Sequence, residues 1–115
     1  MKRHTDSITI GSMLLLLVMM VACGHKATLP ANFVQAETQA DIFPNYKDIV
    51  IPPNIAPLNF LVRDSGATSA VVQMQGPDGG ELLIQADAEL SVRIDTAEWR
   101  KLLQANRGKD ITVRV

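Results

Sequence analysis

The sequence predicts a mainly β protein: a small immunoglobulin-like antiparallel β-sandwich with one short crossing helix, after a signal peptide and a flexible tether. A short apolar run near the N-terminus ends at the only cysteine, and a polar stretch follows. From Lys47 onward, apolar residues recur with a period of two, which is typical of half-buried strands. The predicted boundaries are 1–22 for the signal peptide, 23–44 for the lipidated cysteine and tether, and 45–115 for the sandwich.

The N-terminal segment has the parts of a secretory signal. Lys2 and Arg3 precede an apolar run over residues 8–22, and small residues surround Cys23. The run is interrupted early and is shorter than the roughly 20 residues of a membrane-spanning helix. We therefore expect a cleaved signal and not a transmembrane span.

Residues Met20-Val21-Ala22-Cys23 resemble the lipobox of bacterial lipoproteins. The resemblance implies that the Cys23 thiol receives diacylglycerol, that the chain is cut before it, and that the new amine is acylated, for example with palmitate. Several acyl chains attach a protein stably to a membrane. The alternatives are a leader cut elsewhere or an ordinary buried cysteine, but no amphipathic pattern flanks Cys23.

The residues after Cys23 predict a location within the cell envelope. By the same resemblance, Gly24 in place of Asp favours transfer to the outer membrane. The His25-Lys26-Ala27 stretch lacks the acidic cluster that accompanies surface export in Bacteroidetes lipoproteins. We expect an outer-membrane lipoprotein that faces the periplasm.

Composition bounds the remaining possibilities. The chain has 115 residues and a formal net charge of −1, so the part after the signal is one small domain. The charges are scattered, without the basic footprint that nucleic-acid binding requires. With Cys23 acylated, no thiol remains for a disulfide, and no metal-ligand spacing occurs. We expect no cofactor and no metal, and the oligomeric state stays open.

The tether is polar and rich in small residues. Residues 31–40 could form a weak helix, but their apolar residues do not sustain a stripe. A disordered spacer is the favoured interpretation.

Six segments have strand periodicity, and turn residues separate several of them. Gly76-Pro77-Asp78-Gly79-Gly80 predicts a hairpin, residues 64–66 predict a second turn, and Asp87-Ala88 predicts a corner. The strand candidates are 48–51, 58–63, 69–75, 81–86, 89–94 and 111–115. The last lies at the end of the sequence with no turn after it and would present an unpaired edge. We expect a fragment, or a domain that another segment completes.

One short helix is predicted after the fifth strand. Asp95 or Thr96 can cap it, with Glu98 three residues after Asp95 as in a capping box. Its buried stripe would be Trp99, Leu102 and Leu103, and Gly108 suits the left-handed position that ends it. Trp99 is expected to be a core residue, with a ligand platform as the alternative.

Two stretches carry a family resemblance. They are the string Ile-Pro-Pro-Asn-Ile-Ala-Pro-Leu-Asn-Phe within residues 42–60, and Glu98-Trp99-Arg100-Lys101-Leu102-Leu103 with Asn106, Gly108 and Lys109. They are similar to the N-terminal region of large Bacteroidetes lipoproteins that carry a TolB-like β-propeller, some of them labelled cytochrome c biosynthesis proteins. The resemblance implies a first-domain sandwich and a membrane address. This sequence has no propeller repeat and no haem-attachment motif, so functions that reside there do not transfer.

The proline-rich string also has a local meaning. Pro52, Pro53 and Pro57 hold the backbone extended, so that Ile55 can lie across a sheet edge without ladder hydrogen bonds. A structural role is favoured. The alternative is a docking strip for a partner, formed by Tyr46, Pro52, Pro53, Ile55 and Pro57.

Catalysis finds little support in the predicted domain. No histidine or free thiol remains there, and its acidic pairs lie at turns, strand entries and a helix cap: Asp78 with Glu81, Asp87 with Glu89, and Asp95 with Glu98. Nothing indicates the apolar pocket that separates the pKa values of a catalytic pair.

We therefore expect a non-catalytic, lipid-anchored envelope domain that positions or completes a larger TolB-like propeller protein or assembly. The alternative is a self-contained binding module for a glycan or an envelope protein.

Overall fold

The computed structural model describes residues 26–115. Over this range the chain forms six strands and one helix. They are β1 (Ile42–Phe43), β2 (Phe60–Val62), β3 (Val71–Gln75), β4 (Glu81–Gln85), β5 (Ser91–Val92), α1 (Thr96–Ala105) and β6 (Thr112–Arg114). The fold is mainly β with one short helix, as the sequence predicts.

The strands form two three-stranded antiparallel sheets, which make a small β-sandwich. The first sheet has the order β1-β2-β5, and the second has the order β4-β3-β6. In the first sheet Ile42 lies opposite Val62, and Phe60 lies opposite Val92. In the second sheet Met74 of the central strand lies opposite Leu82 on one side and Val113 on the other.

The core lies between the sheets and under the helix. Alternating strand residues bury their side chains there because successive residues of a strand point to opposite faces. The buried apolar residues are Phe60, Val62, Val72, Met74, Leu82, Ala86, Val92, Ile94, Trp99, Leu102 and Leu103. Val72 and Val92 are completely inaccessible to solvent.

The predicted turns are confirmed. Gly79 and Gly80 adopt φ values of 106° and 84°, a region open to residues without a Cβ, and the hairpin joins β3 to β4. Asp64 accepts the Gly66 amide at 2.9 Å through Oδ1. Asp87 likewise accepts the amides of Glu89 and Ser91, which forms the corner before β5.

Helix α1 begins and ends as predicted. Asp95 Oδ1 accepts the Glu98 amide at 2.9 Å, which satisfies one of the free donors of the first turn. Trp99, Leu102 and Leu103 are buried, and Gly108 has a φ of 71° after the helix. The predicted stripe and terminator of the helix are therefore confirmed.

The predicted first strand, over residues 48–51, is wrong. Asp48 has a φ of 52°, which takes the chain out of the extended region, and Val50 is 99% exposed. The outer edge of β2 is instead occupied by β1, where Phe43 pairs with Leu61. The sheet thus takes in Ile42 and Phe43, which the sequence analysis assigned to the tether.

The segment from residue 28 to residue 39 has no regular secondary structure, and its side chains are exposed. The predicted signal peptide and Cys23 lie outside the described residues. Within residues 26–115, no helix has the length and hydrophobicity to cross a membrane.

Candidate functional site: the outer edge of β6

The predicted docking strip divides between the surface and the core. Pro52 and Pro53 are exposed, whereas Ile55 and Pro57 are half-buried, and Tyr46 is half-buried against the core. Tyr46 is therefore not a fully exposed aromatic platform. The strip presents its two adjacent prolines to solvent, and part of its apolar surface is used within the fold.

Two hydrogen bonds attach the proline-rich segment to distant parts of the chain. The indole Nε1 of Trp99 donates to the Ile55 carbonyl oxygen at 3.0 Å. Next to the segment, Asn59 Oδ1 accepts the Ile94 amide at 2.8 Å. These bonds give Trp99 and the segment a structural role, since a buried indole N–H requires an acceptor.

At least one member of each candidate acidic pair has a structural hydrogen-bond partner. Glu81 Oε1 accepts the Gln73 side-chain amide at 2.7 Å, and Asp87 and Asp95 accept backbone amides at a corner and at the helix cap. All of these carboxylates are exposed. Across residues 26–115, no three His, Cys, Asp or Glu side chains are close enough to hold a metal ion.

Two shallow, open cavities lie on the second sheet. One, of about 560 Å³, lies beside β4 and is lined by Leu83, Ile84, Gln85, Lys26, Ala27, Arg93 and Asp95. The other, of about 390 Å³, lies beside β6 and is lined by Gln75, Gly76, Pro77, Asp110, Thr112 and Arg114. Both are open to solvent and resemble surface depressions, unlike the enclosed apolar pockets that hold small ligands.

Strand β6 forms one edge of the second sheet. It pairs with β3 on one side, and no other described strand pairs with it on the other side. Val113 lies opposite the buried Met74, so its side chain is on the core face of the sheet, yet it is 45% exposed. Val115, two residues on and 47% exposed, follows the same alternation. The core face of the sheet is thus incompletely covered at this edge.

The hydrogen-bond pattern of strand β3 shows which N–H and C=O groups of β6 point to the open edge. The Ala86 amide donates to the Ala70 carbonyl at 2.9 Å, and antiparallel partners alternate between hydrogen-bonded and non-bonded pairs. Val72 and Met74 therefore bond towards β4, and Gln73 bonds towards Arg114 of β6. By the same alternation, Val113 directs its N–H and C=O away from β3, to the open edge.

A polar network crosses the outer face of the same sheet. Gln73 is buried and donates to Glu81 Oε1 on β4, while its Oε1 accepts Arg114 Nη1 on β6 at 3.2 Å. The network satisfies the buried amide of Gln73 and holds Arg114 on the face opposite Val113. The sequence does not predict this network, because the alternation of Gln73 with apolar residues indicates only a solvent-facing position.

Asn106 is a second residue whose structural role the sequence does not predict. Its Nδ2 donates to the Gly79 and Leu102 carbonyls at 2.8 and 2.9 Å, and its Oδ1 accepts the Asp78 amide at 2.9 Å. It joins the end of α1 to the β3–β4 hairpin. Its position after a helix indicates a cap, but no sequence signal indicates the hairpin as its partner.

The comparisons with known proteins add no relative from which a function could be transferred: no family model, curated protein or solved structure matches this chain.

Proposed function

We propose that this protein is a non-catalytic, lipid-anchored domain of the bacterial cell envelope that positions or completes a larger protein or assembly. The observation that carries the proposal is the open edge of β6, where Val113 has backbone groups that no strand of residues 26–115 pairs with and a half-exposed apolar side chain. Soluble proteins usually protect such edges, because an edge strand is a template for pairing with another chain.

Two further observations support a binding role over a catalytic one. The acidic side chains of the candidate pairs are exposed, and those of Glu81, Asp87 and Asp95 form structural hydrogen bonds. The cavities of the second sheet are shallow. Main-chain pairing at a sheet edge needs no reactive group, and it provides affinity through backbone hydrogen bonds. The lipobox-like residues before Gly24 support the anchor, and the resemblance in residues 42–60 supports a propeller protein as the larger partner.

The anchor and the edge have separate tests in a Gram-negative host that produces the full chain. We expect mass spectrometry to find a mature N-terminus at an acylated Cys23, and Cys23→Ser to release the protein from the membrane fraction. An unmodified cysteine, or a different start, would contradict the anchor.

For the edge, a photo-crosslinking amino acid at Val113 should yield an adduct, whereas the same amino acid at the exposed Gln104 of α1 should not. A chain that forms no adduct at Val113 in intact cells would contradict the positioning role.

A second candidate function is a self-contained binding module for a glycan or an envelope protein. The outer face of the first sheet favours it, because Phe43 and Leu61 are paired there and both are exposed. The Arg63 guanidinium lies 4.0 Å from the centre of the Phe43 ring, a cation–π contact. Phe43→Ala should abolish retention on immobilised peptidoglycan, and unchanged retention, or none by the original chain, would reject the glycan version.

A further inference from the structure

The open edge of β6 is self-complementary. Its outward-pointing residues alternate with those that bond to β3, so a second strand can pair with Ile111, Val113 and Val115 without breaking a hydrogen bond of the sheet. The other edge strand of the sheet, β4, lies beside α1 and next to Lys26 and Ala27. It also carries Glu81, a charge of the kind that discourages edge pairing.

We propose that two copies of this chain associate by antiparallel pairing of their β6 strands, centred on Val113. This inference rests on the proposed function, because it uses the same edge of β6, with a second copy of this chain in place of a propeller protein as the partner strand. The second sheet of one copy and the second sheet of the other then form one continuous six-stranded sheet in the order β4-β3-β6-β6-β3-β4. The two-fold axis passes beside Val113, and the interface uses the same surface of each copy.

The side chains fit this register. Val113 lies opposite Val113 of the second copy, and Ile111 lies opposite Val115, so the core face receives only apolar pairs. On the outer face Thr112 lies opposite Arg114, so no like charges are opposed. Each copy covers the apolar side chains that the other leaves half-exposed.

Charges on the outer face support the same register. Asp110 is on the same side as Thr112 and Arg114, since these three residues line one cavity. In the symmetric pair, Asp110 of one copy is the diagonal neighbour of Arg114 of the other. Diagonal neighbours lie about 7–8 Å apart at their Cα atoms, within reach of an arginine side chain. The arrangement occurs twice because of the two-fold axis.

The first experiment is disulfide trapping in the full chain, purified in detergent. In the paired Val113→Cys variant, the Cα atoms of the two introduced cysteines would lie about 5.5 Å apart, inside the range that a disulfide spans. We expect a mild oxidant to convert most of this variant to a covalent dimer. The matched control is Leu83→Cys, an exposed residue on the opposite edge strand, and the original chain controls for Cys23. Both should stay monomeric on a non-reducing gel.

The second experiment measures the non-covalent equilibrium by sedimentation. Val113→Lys places a charge on the core face of the edge strand, and we expect it to weaken the dimer by about tenfold or more. Asp110→Lys should also weaken it, because the new lysine faces Arg114 of the second copy. Adding Arg114→Glu to Asp110→Lys should restore association, which a merely destabilised fold would not show. Circular dichroism checks that each variant is folded.

The outcomes separate this inference from the proposed function. A chain that stays monomeric at high concentration, with no Val113→Cys dimer, overturns self-pairing. If Val113 then crosslinks to a different envelope protein in cells, the edge retains its positioning role and only the identity of the partner is wrong. If Val113 crosslinks to nothing, both fail.

Discussion

The side-chain amide of Asn106 connects helix α1 to the β3–β4 hairpin. It is buried, and its three hydrogen bonds reach α1 and both ends of the Asp78–Gly79 pair. A buried polar side chain is favourable only when its hydrogen bonds are formed. Gly76 packs against it so closely that a Cβ there would overlap the Asn106 side chain.

Asn106→Ala should lower the free energy of unfolding by about 2–3 kcal/mol, because it removes three hydrogen bonds, those to the Asp78 amide and to the Gly79 and Leu102 carbonyls. In a domain of this size the melting temperature should fall by on the order of 10 °C. Thermal unfolding followed by circular dichroism measures the effect. Gln104→Ala, at an exposed helix position, is the control and should melt within about 2 °C of the original chain. An equally small shift in Asn106→Ala would show that water replaces its partners.

Gly76→Ala tests the close contact itself. Alone it should be destabilising, because the added methyl group displaces the Asn106 side chain from its hydrogen bonds. In the Asn106→Ala background the obstacle is gone, so the same change should cost less. Denaturant unfolding of the two single variants and the double variant should give a coupling energy of about 1 kcal/mol or more. Additive effects would contradict the steric explanation.

At the scale of the elements, some parts of the fold are specified by local sequence and others depend on contacts with distant residues. Helix α1 and the β3–β4 hairpin are specified by residues within or next to them. These are the cap at Asp95, the apolar stripe of the helix, and the glycines at left-handed positions. Strand β6 has the alternation of apolar and polar residues that is typical of a strand. Its position in the sheet depends on pairing with β3, which is distant in the sequence. Residues 48–51 have comparable alternation and form no strand, because Ile42 and Phe43 take the edge of β2.

Asp95→Ala should cost about 1 kcal/mol, because the Glu98 amide loses its side-chain acceptor. The melting temperature should fall by about 4–8 °C. Asp95→Asn keeps an oxygen at the cap and should retain most of the stability, so the comparison isolates the cap from the general effect of mutation. If both variants melt alike, the Asp95 bond contributes nothing measurable.

At the scale of the whole molecule, the sandwich is small and its stability is concentrated between the sheets and α1. Residues 28–39 contribute little to it, since they are exposed and form no hydrogen bond with the sandwich over the described range 26–115. The Asp41 carbonyl is the first group of this region that bonds to a strand, through the Arg63 amide at 2.8 Å. The exposed segment 28–39 can therefore vary in length without a change in the fold.

Deletion of residues 31–38 should leave the melting temperature within about 2 °C of the original, because no packed side chain is lost. The measurement is calorimetry on the full chain with and without the deletion. Phe60→Ala, which empties a core position, is the positive control and should cost about 3–5 kcal/mol. A fall of about 5 °C or more on deletion would show that the tether packs against the sandwich.

Local sequence patterns are sufficient to predict the fold class, five of the six described strands, the helix with its cap and stripe, and the turns. These features depend on local periodicity and on the conformational preferences of single residues, both of which involve only residues close together in the sequence. The tertiary structure alone decided the sheet order, the use of Ile42 and Phe43, the burial of Gln73 and Asn106, and the open edge of β6. Pairing between distant strands depends on which surfaces can be buried together, and period-two alternation indicates that a residue has a partner without indicating which one.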